Sequence, residues 1–231
     1  MIAFAAAVLA AAQPAPCPDV VTAEAFICRA VRATAESRPQ EAAESFEQAA
    51  LQLDPSNPEA SRLWAAAGNM WIAAGQNGKA ALALDKALAG TGLLAEQRGE
   101  ALLDRARAAE AQDDLKTARA RVNEAAATIS QDPFLWYFSA ALAIREGDSA
   151  NAKASIGRAL ALAPGDPFVL FEAGHVAQFA GDTAGARDYW SRASAADPNG
   201  TAGKAAREAL AMLDKPAAAA PATPAPQPPG N

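Results

Sequence analysis

The chain has 231 residues, a formal net charge of -6 and a pI near 4.9. That balance excludes nucleic-acid binding by phosphate neutralisation, which needs clustered Lys and Arg. Its 51% hydrophobic content includes 67 alanines, which favour helix but bury little area, so the interior must be built from closely packed helices and the expected class is all-α.

In chain order, residues 1–12 form an apolar run ending Ala10-Ala11-Ala12 before Gln13, the small-x-small form of a secretory cleavage site. No Lys or Arg precedes it, so two readings stand. A signal peptide would make the mature chain periplasmic or secreted; an apolar helix docked on the first repeat unit would leave it cytoplasmic. A dozen apolar residues are too few for a membrane span. Residues 13–22 read as a Pro-rich linker carrying Cys17. Cys28 lies eleven residues on, and an even cysteine count in an exported chain permits a Cys17–Cys28 disulfide, the alternative being two unpaired thiols. One histidine and two cysteines are too few for a His/Cys metal centre, and no cofactor is expected.

The middle of the chain repeats. Trp136 and Leu170, Gly147 and Gly181, Ala152 and Ala186, Ala159 and Ala193, and Pro164 and Pro198 are each 34 residues apart. Ala118, Ala80 and Ala42 extend the register backwards, with four extra residues in two of the connections. Within each unit the apolar and small residues fall at helical spacing on two segments joined by a turn. Gly147-Asp148 and Gly181-Asp182 supply a left-handed glycine that ends one helix and an aspartate that caps the next.

These residues resemble the tetratricopeptide repeat family, whose pattern is W-x2-L-G-x2-Y, then A-x3-F-x2-A, then P. The second unit reads Trp64-x2-Ala67-Gly68-x2-Trp71, then Ala80-x3-Leu84-x2-Ala87. The fifth reads Leu170-x2-Ala173-Gly174-x2-Ala177, then Ala186-x3-Trp190-x2-Ala193, then Pro198. The fourth carries Trp136, Ala140, Ala152, Ile156, Ala159 and Pro164, and the first Phe26, Ala30, Ala42, Phe46 and Ala49. The third is the most degenerate, with Asp113-Asp114 in place of the turn glycine. The resemblance implies a right-handed α-solenoid of five helix-turn-helix repeats over 23–56, 61–94, 99–132, 133–166 and 167–200. Residues 201–214 would be a capping helix with Ala205, Ala209 and Met212 on one face, and residues 215–231 an Ala/Pro-rich tail without helix.

The resemblance further implies a concave groove lined by positions 2, 5, 9, 12 and 13 of each first helix. The residues carried over include Arg62 and Asn69, then Glu100 and Arg107, then Phe134, Tyr137 and Arg145, then Phe168, Phe171, His175, Gln178 and Phe179. Of these, Asn69, Arg107, Tyr137, Arg145, Phe171, His175, Gln178 and Phe179 are the candidate partner-binding residues. Each aromatic is open to a second reading as ordinary core, and His175 to one as a hydrogen-bonded surface side chain. Ile27 and Val31 stand where relatives that grip C-terminal carboxylates carry Lys and Asn, so that ligand is not expected.

No nucleophile with its base, phosphate cradle or paired-carboxylate site is visible, so a non-enzyme is expected. Gly75-Gln76-Asn77-Gly78-Lys79 has the wrong spacing for a phosphate loop and fits an inter-helix turn. The expected function is a scaffold that binds a protein or peptide through the groove, in a bacterial cell envelope. The alternatives are an envelope subunit that works through its convex face or edges, and a module accessory to an enzyme encoded elsewhere. Nothing in the sequence sets an oligomeric state.

Overall fold

The computed structural model describes residues 16–215. The expected signal peptide at residues 1–12 and the tail from residue 216 lie outside the described residues. Eleven α-helices occupy the described residues: α1 (Ala23–Ala35), α2 (Pro39–Leu51), α3 (Pro58–Ala73), α4 (Asn77–Ala89), α5 (Ala95–Glu110), α6 (Leu115–Ala125), α7 (Pro133–Arg145), α8 (Ser149–Leu162), α9 (Pro167–Phe179), α10 (Thr183–Ala196) and α11 (Thr201–Leu213). They pack as consecutive pairs, α1 with α2 through α9 with α10, and α11 lies on α9 and α10. Two compact units result, one ending at Ile129 with α1 to α6 and one beginning at Ser130 with α7 to α11.

Local chemistry sets the helix ends. Asn57, Asp132, Asp148, Asp166 and Asp182 each accept backbone N–H groups from the first turn of the helix they open, and Pro58, Pro133 and Pro167 begin their helices without wasting a donor. Gly75, Gly147 and Gly181 hold the left-handed turn between paired helices. Ser37 and Asp113 do the same in the first and third pairs. Asp113 therefore replaces the missing glycine without moving the turn, since a short polar side chain tolerates that conformation.

Alanine forms the contact surface between helices. Ala42, Ala80, Ala118, Ala152 and Ala186 are fully buried, as are Ala49, Ala87, Ala125, Ala159 and Ala193 seven residues further on. The first helix of each pair presents Ala30, Gly68, Ala106, Ala140 or Gly174 to this surface. At two of these places, Gly68 and Gly174, a side chain of the second helix comes too close for any Cβ. A Cβ on Gly68 would lie 2.4 Å from Leu84 Cγ, and one on Gly174 would lie 2.2 Å from Trp190 Nε1. Trp190 is buried with Leu170, Ala186 and Ala193, and its Nε1–H donates to the Phe171 carbonyl at 3.0 Å. Trp71 donates to Glu47 at 2.8 Å under the Lys79 ammonium, and Trp136 donates to the Ser130 carbonyl at 2.8 Å.

Cys17 and Cys28 are joined by a disulfide, with Cα atoms 5.7 Å apart. It ties residues 16–22 to α1, where Arg29 also donates to the carbonyls of Pro18 and Val20. The face of α11 differs from expectation. Ala202, Gly203 and Ala206 are buried, Ala209, Leu210 and Leu213 pack on the Trp190 cluster, and Met212 is 68% exposed, so the packed stripe is rotated about the helix from the expected one, keeping Ala209 and leaving Met212 outside. The Asp197 carboxylate accepts from Gly200 N–H at 2.9 Å, and the Asp197 carbonyl lies where a Cβ on Gly203 would fall, so this glycine draws the start of α11 inward.

Candidate binding surfaces on the first helices

Positions are counted from 23, 61, 99, 133 and 167, the first residue of each repeat. In the first unit α3 and α5 lie side by side, and an open cleft of about 380 Å³ forms along them. Arg62, Ala65 and Asn69 of α3 and Glu100 of α5 line it with Thr34, Met70, Gln97 and Asp104. Asp104, at position 6 and with its side chain largely buried, is the polar centre of this face. Its carboxylate accepts from Asn69 Nδ2 at 2.8 Å and from Arg107 at 2.9 Å. Two of the candidate residues, Asn69 and Arg107, are thus brought together through an acid not counted among them.

The second unit is different in kind. Pro133, Phe134, Tyr137, Asp166, Phe168 and Val169 line a cleft of about 260 Å³ between the starts of α7 and α9. Phe134 and Tyr137 stack with ring centroids 5.3 Å apart. Asp166 is the single acid here, and its carboxylate already accepts from the N–H groups of Phe168 and Val169. Phe134 and Phe168 are 40% and 48% exposed. Each is the second residue of its helix, after Asp132-Pro133 and Asp166-Pro167, so capping and proline geometry hold both rings in the open.

Further along α9, Phe171 is half-buried against the Trp190 cluster, and its ring meets His175 edge-on at 4.4 Å. His175 Nδ1 lies 3.3 Å from Oε2 of Glu172, a buried carboxylate at position 6. Gln178 and Phe179 are exposed at the end of α9, about 16 Å along the axis from Phe168. Arg145 is exposed at the end of α7. These three do not share the aromatic cleft with Tyr137.

Sequence reasoning missed Asp104 and Glu172. Both stand three residues before a groove residue, in Asp-x-x-Arg and Glu-x-x-His, and one helical turn puts the acid directly beneath its partner. The 34-residue recurrence of Asp-Pro-Phe at 132–134 and 166–168 was a second unused signal. Among the described residues no group of three or more His, Cys, Asp or Glu side chains is arranged to hold a metal ion. No helix of the described residues is long and apolar enough to cross a membrane.

Consecutive capped helix pairs, small residues at the pair contact and clefts on the first helices together define the tetratricopeptide-repeat fold. The chain is similar to PilF of Pseudomonas aeruginosa, with 17% identity and a TM-score of 0.65 over 84% of this chain and 83% of that one. It is similar also to PilW, described as a widely conserved type IV pilus biogenesis factor, with 20% identity and a TM-score of 0.65 over 79% of this chain and 81% of that one. YrrB, described as a TPR protein with an unusual peptide-binding site, gives 18% identity and a TM-score of 0.60 over 82% of this chain and 92% of that one. At these identities the likeness is one of fold. No family model matches the chain, and no curated protein matches it.

Proposed function

We propose that this chain is a non-catalytic interaction scaffold that holds a segment of a partner protein on a first-helix face. The aromatic cleft of the second unit supplies the apolar anchor. The observation that carries this is the pair of half-exposed rings, Phe134 and Phe168, fixed by helix caps over a cleft lined almost wholly by carbon. Rigid aromatics with few rotamers to lose contribute most of the binding energy in protein interfaces. The polar cleft of the first unit, with Arg62, Asn69, Gln97 and Glu100, is a separate surface whose hydrogen-bonding groups suit a peptide backbone.

We place the scaffold in a bacterial cell envelope. The Cys17–Cys28 disulfide belongs to an oxidising compartment, residues 1–12 have the form of an export signal, and two proteins of the same fold carry pilus names. The test is affinity capture from envelope extracts with the mature chain and with a Phe134→Ala, Phe168→Ala double variant. Both substitutions are at exposed rings, so the fold survives. Loss of the captured partner supports groove use; unchanged recovery shifts the working surface to the second helices or edges.

A further inference from the structure

Glu172 is the one acidic side chain buried among the described residues, at 5% exposure, and it is aimed at the single histidine of the chain. A buried carboxylate needs a donor to offset the loss of water, and the group that faces Glu172 is Nδ1 of His175 at 3.3 Å. An ionised carboxylate only accepts, so a neutral imidazole facing it places its proton on Nδ1 and turns the Nε2 lone pair outward. Phe171 and Trp190 meet the imidazole edge-on at 4.4 Å and 5.6 Å and hold its plane. The Trp190 N–H is already committed to the Phe171 carbonyl and does not compete for the ring. The His175 side chain is nevertheless 38% exposed, at groove position 9.

The first unit repeats the arrangement in the same register. Position 6 is Asp104, position 9 is Arg107, and Asp104 holds both Arg107 and Asn69. A largely buried acid that orients a groove residue one turn later is therefore a device used in both units. What differs is the group presented: guanidinium donors at Arg107, an imidazole at His175.

We infer that the Glu172–His175 pair is a reading site on the groove face of α9, in which His175 Nε2 accepts a hydrogen bond from a backbone N–H of the bound segment and Glu172 is its positioning residue. This rests on the proposed use of the groove. It adds a polarity rule: the segment brings a donor, not a carboxylate, to this point, because the proton that a carboxylate would need is turned inward to Glu172.

The first test needs no partner. With one histidine, long-range proton–nitrogen correlation of the ¹⁵N-labelled chain, recorded where the nitrogen shifts themselves show a neutral imidazole, reports one tautomer. The expected result is the Nδ1–H form in the wild type and a return to the Nε2–H form of free histidine in Glu172→Ala, with helical circular dichroism unchanged. An Nε2–H wild type overturns the inference without reliance on any variant. The second test is capture from envelope extracts. His175→Gln, which places an acceptor near Nε2, retains the partner, and His175→Leu loses it by about tenfold. If the Phe134→Ala, Phe168→Ala variant abolishes capture while His175→Leu leaves it intact, the reading site is wrong and the groove stands. If the double variant itself leaves capture unchanged, it is the groove proposal that fails.

Discussion

The two units use the same repeat to build opposite surfaces. In the first, the first-helix face is polar: Asn69 and Arg107 converge on Asp104, and the cleft beside them is edged by Arg62, Gln97 and Glu100. In the second, the corresponding face opens on Phe134, Tyr137 and Phe168, its acids are withdrawn into the Asp166 cap and the buried Glu172, and Arg145 lies at the far end of α7. The packing beneath is held constant by fully buried alanines, so the face can vary without disturbing it. A helix-pair repeat largely separates stability from recognition in this way, although Phe171 serves both, standing at a groove position while packing on the Trp190 cluster.

The comparison can be broken most forcefully at Trp190. Trp190→Ala removes the largest side chain of the second unit's core and its bond to Phe171, and should cost about 3–5 kcal/mol. Hydrogen exchange should rise in α9, α10 and α11 and stay unchanged in α1 to α4. Equal loss of protection in both units would show that they do not unfold separately. Next in size is the disulfide. Closing a loop of eleven residues is worth roughly 2–3 kcal/mol, so reduction or Cys28→Ser should lower the melting temperature and loosen α1, leaving the aromatic unit untouched.

Gly174→Ala should cost about 1–3 kcal/mol, because the new methyl meets the immobile Trp190 ring. Ala140→Gly at the same position of the preceding repeat should cost about 1–2 kcal/mol by a different route, the loss of helix propensity and of a buried methyl with no clash. Denaturant titration of the two variants sharpens the point that glycine here answers a large neighbour rather than a turn. Asp148→Ala, which strips a cap from two backbone N–H groups, should cost about 1 kcal/mol by the same measurement.

The smallest effect is one of pH. Hydrogen bonds from the Thr117 hydroxyl and N–H hold the Asp114 carboxyl below its ordinary value. A depressed carboxyl contributes stability that is present above the ordinary carboxylate range and is lost as pH falls through the folded value. Acid titration of stability should therefore be slightly flatter in Asp114→Asn than in the wild type, and a steeper acid limb would contradict the assignment.

The fold was legible because it is written in a few positions. Ala42, Ala80, Ala118, Ala152 and Ala186 mark the places where a second helix can approach a first, and Gly147-Asp148 and Gly181-Asp182 mark the turns. The groove was legible only as positions. Phe134 and Phe168 stand exposed because each opens a capped helix, which the Asp-Pro-Phe recurrence encodes, whereas Phe171 sinks because Trp190 of the partner helix packs on it, which the repeat spacing does not encode. Asp104 and Glu172 escaped because an acid one turn from a polar residue is most often a solvated pair. Burial by the neighbouring helices turns these two into positioning residues. Met212 misled for the opposite reason: its helical spacing matched a stripe, but the tight approach of Gly203 sets which face of α11 packs.

The central claim is that the first-helix faces are the working surfaces. Its most direct test is site-resolved photocrosslinking in the native host, with a benzophenone side chain placed at Phe168 in the aromatic cleft or at Leu82, which is 67% exposed on the second helix α4. A discrete partner adduct at Phe168 and none at Leu82 is the predicted result; an adduct at Leu82 with none at Phe168 would contradict it.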